Sequence, residues 1–531
     1  MPTLNWIGKK AVENHHQQVP FHLLKDVPEL SVGDPGSGNL IVEGDNLLAL
    51  KALLPYYAGQ AKCIFIDPPY NSGEQTWTYD DRVNSPEIRA WLGKTVGKED
   101  EDLTRHDKWL CMMYPRISLL TRFLRDDGVL FICLDDTELY RFRLLMGEIP
   151  GMSFITSFIW KSRRNLDSRS KHNVSIDHEY VLAFRKSLGR FRGATKDLSK
   201  YSNPDNDPRG PWMSDNLVGL ATKDRRPNLH YDLVNPKSGI SYKCSVKGWR
   251  YSKETMAQKI SENRILWPSK SSGRPRHKKF FKELESDFTG FSSLIECGNT
   301  NEGTEEIQEI IGDASFIFPK PRSLVECLVG QIATSSDDIV IDSFSGSGTT
   351  AHAVLQLNKN DSMNRKFILV EMNHKIAREV TAERMRRVVN GYKNLKGIKV
   401  EGLSGGFRYV QLAEPLFDEQ GNIRKTVKFA DLARHVYFVE TGEPITKQPK
   451  ITSPLLGIHN GLGIYLLYNG ILKDKTPDGG NVLTTSVLLH LPKHSGSKVI
   501  YGTACRLGAE RLRREKITFK QLPYKLRIGE A

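Results

Sequence analysis

No run in this chain is apolar for long enough to cross a bilayer. The opening residues, Met1-Pro2-Thr3-Leu4-Asn5, lack a charged start followed by an apolar core. The sequence therefore reads as a cytoplasmic protein without a membrane partner. Its seven cysteines (63, 111, 133, 244, 297, 327 and 505) are odd in number, scattered and free of any C-x-x-C pair. That pattern argues against both a disulfide framework and a zinc site. Gly93-Lys94-Thr95 has Ile88 where a P-loop needs its first glycine, which excludes that ATPase motif. There is no internal repeat or low-complexity block, and His15-His16 reads as an exposed pair rather than a metal site. Acidic residues are also short: 62 Asp and Glu face 76 Lys and Arg, a formal net charge of +14. With a pI near 9.2 the chain favours a polyanionic partner. Lys161 to Lys200 alone holds eleven basic against four acidic residues, half of the excess. At 531 residues the chain is too long for one core and suggests two or three domains.

What is present begins with Asp67-Pro68-Pro69-Tyr70, directly after the apolar run Cys63-Ile64-Phe65-Ile66. The run predicts a buried parallel strand, and the prolines end it at the carboxyl edge of a sheet, where open α/β folds bind ligands. Proline has no N–H, so the turn presents acceptors. The Asp67 carboxylate and the Pro68 carbonyl can both accept from an –NH2 group while the Tyr70 ring stacks on the base that carries it. A second signature runs from Asp337-Asp338-Ile339-Val340-Ile341-Asp342 into Ser343-Phe344-Ser345-Gly346-Ser347-Gly348-Thr349-Thr350, with Ala351, Val354 and Leu355 continuing in a helical pattern. This strand, Gly-x-Gly turn and helix open a nucleotide-binding β–α unit, though no third glycine completes the dinucleotide fingerprint. Phe367-Ile368-Leu369-Val370 then ends in Glu371, an acid placed to accept from ribose hydroxyls.

These motifs resemble the amino-methylating DNA methyltransferases that use S-adenosylmethionine. Asp67-Pro68-Pro69-Tyr70 is similar to their catalytic motif, and Phe344-Ser345-Gly346-Ser347-Gly348 to their cofactor motif. Because the catalytic motif comes first, the order resembles the permuted β group, and among its members the modification subunits of Type III restriction systems. The resemblance covers roughly residues 38–186 and 315–390. It implies a doubly wound, mostly parallel, seven-stranded Rossmann-like α/β sheet, whose two central strands can be visited in either order. Gly44-Asp45-Asn46 follows the strand Leu40-Ile41-Val42 and, by resemblance, meets the cofactor adenine. Phe318-Pro319-Lys320-Pro321 resembles the segment that closes over the methionine end, and residues Asn173 to Leu182 the last, antiparallel strand. The cofactor site it implies comprises Asp45, Asn46, Lys320, Asp342, Phe344, Gly346, Gly348, Thr349 and Glu371. The catalytic site comprises Asp67, Pro68, Pro69 and Tyr70, with no metal. The implied reaction is methylation of adenine N6 in double-stranded DNA after base flipping. Related cytosine-N4 enzymes more often carry Ser at the position of Asp67, and protein-glutamine relatives Asn. A non-catalytic DNA-binding subunit is a further reading. The implied partners are duplex DNA, a second copy of the chain and a separate helicase-nuclease subunit, in a prokaryotic or phage setting at the nucleoid. No helicase motif or nuclease constellation is found in this chain.

The domains expected are an N-terminal arm (1–37), a catalytic half (38–186), a target-recognition insertion (187–315), a cofactor half (316–395) and a small C-terminal α/β domain (400–531). The insertion is polar and turn-rich, with Asn203-Pro204-Asp205-Asn206-Asp207-Pro208-Arg209-Gly210 and Asn235-Pro236-Lys237-Ser238-Gly239. Basic and aromatic residues interleave in Lys247-Gly248-Trp249-Arg250-Tyr251 and in Arg274-Pro275-Arg276-His277-Lys278-Lys279-Phe280-Phe281. Candidate DNA contacts are Lys161, Arg163, Arg164, Arg169, Lys171, Arg250, Arg274, Arg276, Lys278 and Lys279. Trp77, Tyr79, Asp80 and Asp81, after the catalytic turn, fit pocket closure, core packing or exposure equally well. The helical stripe Trp109, Met112, Met113, Ile117, Leu120 and Leu124 reads as core, although β-group helices in this region form dimer interfaces.

Overall fold

The computed structural model describes residues 3–71, 105–168, 173–312, 316, 318–445, 453–473 and 480–523. It divides into two compact units, Arg192–Phe291 and the remainder, Met1–Phe191 with Ser292–Ala531.

The larger unit is built on one sheet. Its strands are β1 (His22–Asp26), β2 (Leu40–Glu43), β3 (Ala61–Ile66), β4 (Leu124–Leu134), β5 (Ser153–Lys161), β6 (His178–Arg185), β7 (Leu294–Ile295), β8 (Ile339–Asp342), β9 (Lys366–Glu371) and β10 (Gly406–Pro415). Their spatial order is β1-β10-β2-β9-β8-β3-β4-β6-β5-β7, and the short segment Val32–Gly33 adds to β10 as the eleventh strand. The seven from β2 to β5 in that order make the sheet that the motifs predict. Extra strands lengthen it at both ends. The central pairings, from β10 through β2, β9, β8 and β3 to β4, are parallel. The strand read as the last and antiparallel one is β6, which runs opposite to both neighbours, β4 and β5.

Sequence explains the centre of this sheet. Ile64, Phe65 and Ile66 of β3, Val340 and Ile341 of β8, and Phe367 to Val370 of β9 are all buried. Runs with no polar alternation are what a sheet covered on both faces requires. The larger unit's helices include α1 (Asn46–Tyr57), α2 (Arg105–Phe123), α3 (Thr300–Ile311), α4 (Arg322–Ile332), α5 (Thr349–Asp361), α6 (Glu383–Asn390) and α7 (Phe429–Thr441). The α2 stripe packs inside its own unit, with Trp109, Met112, Met113, Ile117 and Leu120 buried in the main core.

Three regions differ from the sequence reading. The insertion expected over 187–315 is a compact unit only over 192–291, because β7, Leu294–Ile295, pairs with β5 in the main sheet. β10 was expected to belong to the C-terminal domain, yet it pairs with β2, burying Phe407 and Tyr409. β1, expected as part of an arm, closes on β10. Neither strand carries a motif, so only long-range pairing reveals them. Beyond β10, α7 packs on a four-stranded sheet of Leu455–His459, Leu462–Leu466, Lys498–Gly502 and Ile517–Gln521. Among the described residues, no helix is long and apolar enough to cross a membrane.

The smaller unit has a three-stranded antiparallel sheet of Trp212–Asn216, Arg276–Phe280 and Ile265–Leu266. A helix, Lys253–Ser261, is capped by the Ser252 side chain. Its core is Leu217, Leu233, Trp249, Met256 and Ile265.

Candidate active site

The carboxyl ends of β8 and β3 lie side by side, because Ile341 pairs with Ile64. The chain leaves β8 through Asp342 and the glycine turn, and leaves β3 through Asp67. Two motifs far apart in sequence are thus neighbours at one sheet edge.

At the first of these ends the backbone bends as glycine allows. Gly346 has φ 48° and Gly348 φ 77°. A Cβ on Gly346 would lie 2.8 Å from Phe316 Cζ. The Gly346 N–H donates to Glu371 Oε2 at 2.9 Å, and the Gly346 carbonyl accepts from Thr381 Oγ1 at 2.6 Å. Glu371 also accepts from Asn373 N at 2.8 Å, so this strand-end acid ties its own turn to the glycine turn. Asp342 accepts from Phe344 N at 3.0 Å and from Thr350 Oγ1 at 2.5 Å. Burial pushes both carboxyls up to about 7; at Asp342 these two hydrogen bonds oppose the rise, and at Glu371 the backbone N–H donors do. The Ser343 and Ser345 hydroxyls are buried with no hydrogen-bond partner among the described residues.

Asp45 caps α1, accepting from Leu48 N at 3.0 Å, and pairs with Arg116 at 3.1 Å. Asn46 donates to the Ser343 carbonyl at 3.2 Å and accepts from Arg116 Nε. The helix start is thereby joined to the glycine turn. Thr349 donates to the Lys320 carbonyl at 3.2 Å and accepts from Arg384 at 2.9 Å. Phe344 packs half-buried against the main core.

At the end of β3, Pro68 is buried and the Pro69 carbonyl accepts from Trp109 Nε1 at 2.7 Å, which pins the turn to α2. Asp67 Oδ2 lies 2.9 Å from Lys320 Nζ, whereas Asp67 Oδ1 is buried with no hydrogen-bond partner among the described residues. Lys320 Nζ is also 3.4 Å from Glu179 Oε2 and sits 4.7 Å from the centre of the Tyr70 ring. Tyr70 donates its hydroxyl to Glu179 Oε2 at 2.8 Å. Burial drives the Asp67 carboxyl above the usual carboxylate range, and Lys320 opposes it. Burial alone would lower the Lys320 ammonium, but Asp67 and Glu179 outweigh it and hold it above the ordinary lysine range. Both partners of one ion pair thus move upward. One cation serves two carboxylates, so the surplus favours the charged lysine and Asp67 receives only a share.

The structure brings all thirteen expected catalytic and cofactor residues to this edge. Lys320, placed by resemblance at the methionine end, sends its side chain to Asp67 and Glu179. Sequence reasoning missed Glu179 and Arg116. Arg116 had a signal: it interrupts the apolar α2 stripe four residues after Met112, on the buried face, and is 1% exposed. Asn71, directly after the motif, has φ 62° and donates to buried Glu138 at 2.6 Å.

The DNA-contact candidates divide. Lys161, Arg163 and Arg164 are exposed on and after β5, with Arg163 paired to Asp167 at 2.8 Å. In the smaller unit Arg274 is exposed, as are Arg250, paired to Asp215 at 3.0 Å, and Arg276, bonded to Ser214 at 2.6 Å. Lys279 is half-buried. Lys278 needs correction: it is 3% exposed and neutralised by Asp205 and Asp207, so it holds the small unit together and offers nothing to phosphate. Trp249 likewise belongs to that unit's core, its indole N–H donating to Tyr231 O at 2.6 Å. Arg169, Lys171, Trp77, Tyr79, Asp80, Asp81 and the Gly93-Lys94-Thr95 segment lie outside the described residues.

A largely parallel sheet with a glycine turn and an acidic turn at adjacent strand ends is an α/β fold of the Rossmann-like methyltransferase kind. More narrowly, the chain belongs to the DNA methylase family, whose model matches residues 61–383. It is 31% identical over 423 residues to the Mod subunit of the Type III restriction-modification enzyme StyLTI of Salmonella typhimurium, covering 76% of this chain and 62% of that one. It is 29% identical to the EcoPI Mod subunit of Escherichia phage P1, over 70% of this chain and 64% of the other. To the Type II methyltransferase M.KpnI of Klebsiella pneumoniae it is 28% identical, over 71% and 94%. The chain thus spans a little under two thirds of the length of those two Mod subunits.

Proposed function

We propose that this protein transfers a methyl group from S-adenosylmethionine to N6 of adenine in double-stranded DNA. The observation that carries this reading is the acceptor turn: among the described residues Asp67 Oδ1 is buried and has no hydrogen-bond partner, at the strand end adjoining the glycine turn. A buried carboxylate oxygen without a donor is costly unless a ligand supplies one. An exocyclic –NH2 does so.

The residues present fit the cofactor. It is cationic, and Asp342 and Glu371 place two buried acids beside backbone that only glycine tolerates at Gly346. Asp45, Asn46, Phe344, Gly346, Gly348, Thr349 and Glu371 line its side of the edge. When bound, S-adenosylmethionine supplies an electrophilic methyl group. The chain's own residues do the rest. Extrusion of the base from the duplex costs a few kcal/mol, and stacking on Tyr70 offsets part of it. Asp67 and the Pro68 carbonyl accept from the amino group, which draws its nitrogen toward a tetrahedral form with a directed lone pair. Positioning and electrostatics then carry the reaction, and Asp67 can take up the proton that leaves nitrogen.

Aspartate at 67 favours adenine over cytosine-N4. The exposed Lys161, Arg163 and Arg164, with Arg250, Arg274 and Arg276, supply phosphate contacts, and residues 192–291 are the target-recognition insertion. A second copy of the chain and a separate helicase-nuclease subunit are the proposed partners; the names of the Mod relatives support the latter. The test is transfer of labelled methyl groups to duplex DNA by the wild type and by Asp67→Ala. Loss of transfer with DNA binding retained supports the reading. Undiminished transfer by the variant refutes it.

A further inference from the structure

Glu179 lies in the stretch that resembles the family's antiparallel strand and carries no expected site role, yet it joins the two halves of the acceptor site. Its Oε2 accepts from the Tyr70 hydroxyl at 2.8 Å and lies 3.4 Å from Lys320 Nζ, which in turn holds Asp67 Oδ2 at 2.9 Å. It reaches the site from β6, the strand antiparallel to its neighbours, whereas Asp67 and Tyr70 follow β3 and Lys320 precedes α4. Three separate segments therefore meet at one carboxylate.

We propose that Glu179 is a positioning residue for methyl transfer: it fixes the Tyr70 ring and holds Lys320 on Asp67 Oδ2, so that Oδ1 stays open to the incoming amino group. The proposal rests on the methyltransferase reading above. Its physical basis is competition for donors. An ammonium has three N–H donors and no preferred plane. With Glu179 in place, Lys320 is divided between two carboxylates and the Tyr70 ring. Without that second carboxylate, Lys320 is free to close on both oxygens of Asp67 and to occupy the acceptor that the base needs. The Tyr70 hydroxyl, buried and without its acceptor, would also lose the bond that sets the tilt of the ring.

A charge argument gives a readout that packing alone does not. The groups facing Asp67 are Lys320 before α4, Glu179 on β6, Tyr70 of the same turn, Cys133 on β4 and Asp342 on β8. Neutralising Glu179 removes a like charge and leaves Lys320 to Asp67 alone. Both changes favour the ionised Asp67, so the acid limb of activity moves to lower pH.

The experiment uses the full chain with Glu179→Gln, Glu179→Ala, Tyr70→Phe and the Gln/Phe double variant, with S-adenosylmethionine and duplex DNA. Thermal unfolding and the Kd for DNA are measured beside kcat, KM and the pH profile. Glu179→Gln, nearly isosteric, should keep the DNA Kd within about 3-fold and lower kcat about 10–100-fold, the scale of a misplaced reacting group. Its acid limb should fall by about one pH unit. The double variant should be slower than either parent, because Gln keeps an oxygen that accepts from the Tyr70 hydroxyl and gives up only the charge facing Lys320, whereas Tyr70→Phe removes the hydroxyl contact. If Glu179→Ala does not fold, Glu179→Gln and Tyr70→Phe carry the test. An unshifted acid limb, an unchanged kcat, or a loss accounted for by weaker binding or lower Tm would overturn the proposal. Wild-type protein that methylates nothing would overturn the underlying reading, an outcome separate from active protein indifferent to Glu179.

Discussion

Acidification should loosen the grip on S-adenosylmethionine. Asp342 and Glu371 are raised by burial from 3.8 and 4.5 to about 7. Below that pH both are mostly protonated and neutral in the ligand-free protein. The ligand's sulfonium is positive at every pH and favours their ionised forms. Binding therefore releases protons, and affinity rises with pH until about 7, where it levels off. At pH 6 each carboxyl is only about 10% ionised, and recovering the charge costs about 1.4 kcal/mol, roughly tenfold in Kd. One such group gives about 25-fold from pH 7.5 to 5.5; the two feel each other's charge and titrate as a pair, so together they give between one and three orders of magnitude. Isothermal calorimetry over that range, in buffers of different ionisation enthalpy, measures both Kd and protons released. Asp342→Asn should flatten the dependence to that of Glu371 alone, about 25-fold. A Kd independent of pH, with no proton release, would refute the electrostatic account of the pocket. The stability of the ligand-free fold has the opposite sign: these acids stabilise it only while protonated, so its denaturation midpoint should fall as pH rises from about 4 to 7.

Further outcomes can be checked in parallel. Gly346→Ala combines a left-handed φ of 48° with a Cβ 2.8 Å from Phe316 Cζ, and the roughly 1–2 kcal/mol of backbone strain should appear as weaker cofactor binding in the same calorimeter. Arg116→Met strands Asp45 and Asn46 at the start of α1. Loss of one partner of a buried pair costs about 3–5 kcal/mol, moderated here because Asp45 is 31% exposed, and urea unfolding should show a loss of that order or somewhat less. Lys278→Ala should destabilise the small unit, seen as faster proteolysis within 192–291, and leave the salt dependence of DNA binding unchanged. Arg276→Ala should do the reverse, reducing the log–log salt slope by about one.

The centre of the sheet was legible because buried parallel strands must be continuously apolar, and the runs ending in Asp67, Asp342 and Glu371 are. The site was legible where chemistry demands rare residue types: two prolines after an aspartate, and two glycines forced to positive φ. Glu179 was not, since a glutamate in a strand looks the same whether it faces solvent or a tyrosine hydroxyl. Lys278 misled for a related reason. A lysine among basic neighbours reads as surface until Asp205 and Asp207, distant in sequence, are seen against it. β10 and β1 were missed because strands at that end of the sheet carry no ligand and no motif, only pairing.

The central claim is the identity of the modified atom. Purified protein incubated with S-adenosylmethionine and unmethylated duplex DNA, followed by digestion to nucleosides and mass analysis, measures it directly. The account requires N6-methyldeoxyadenosine from the wild type and none from Asp67→Ala. N4-methyldeoxycytidine, or no methylated nucleoside while the DNA is bound, would contradict it.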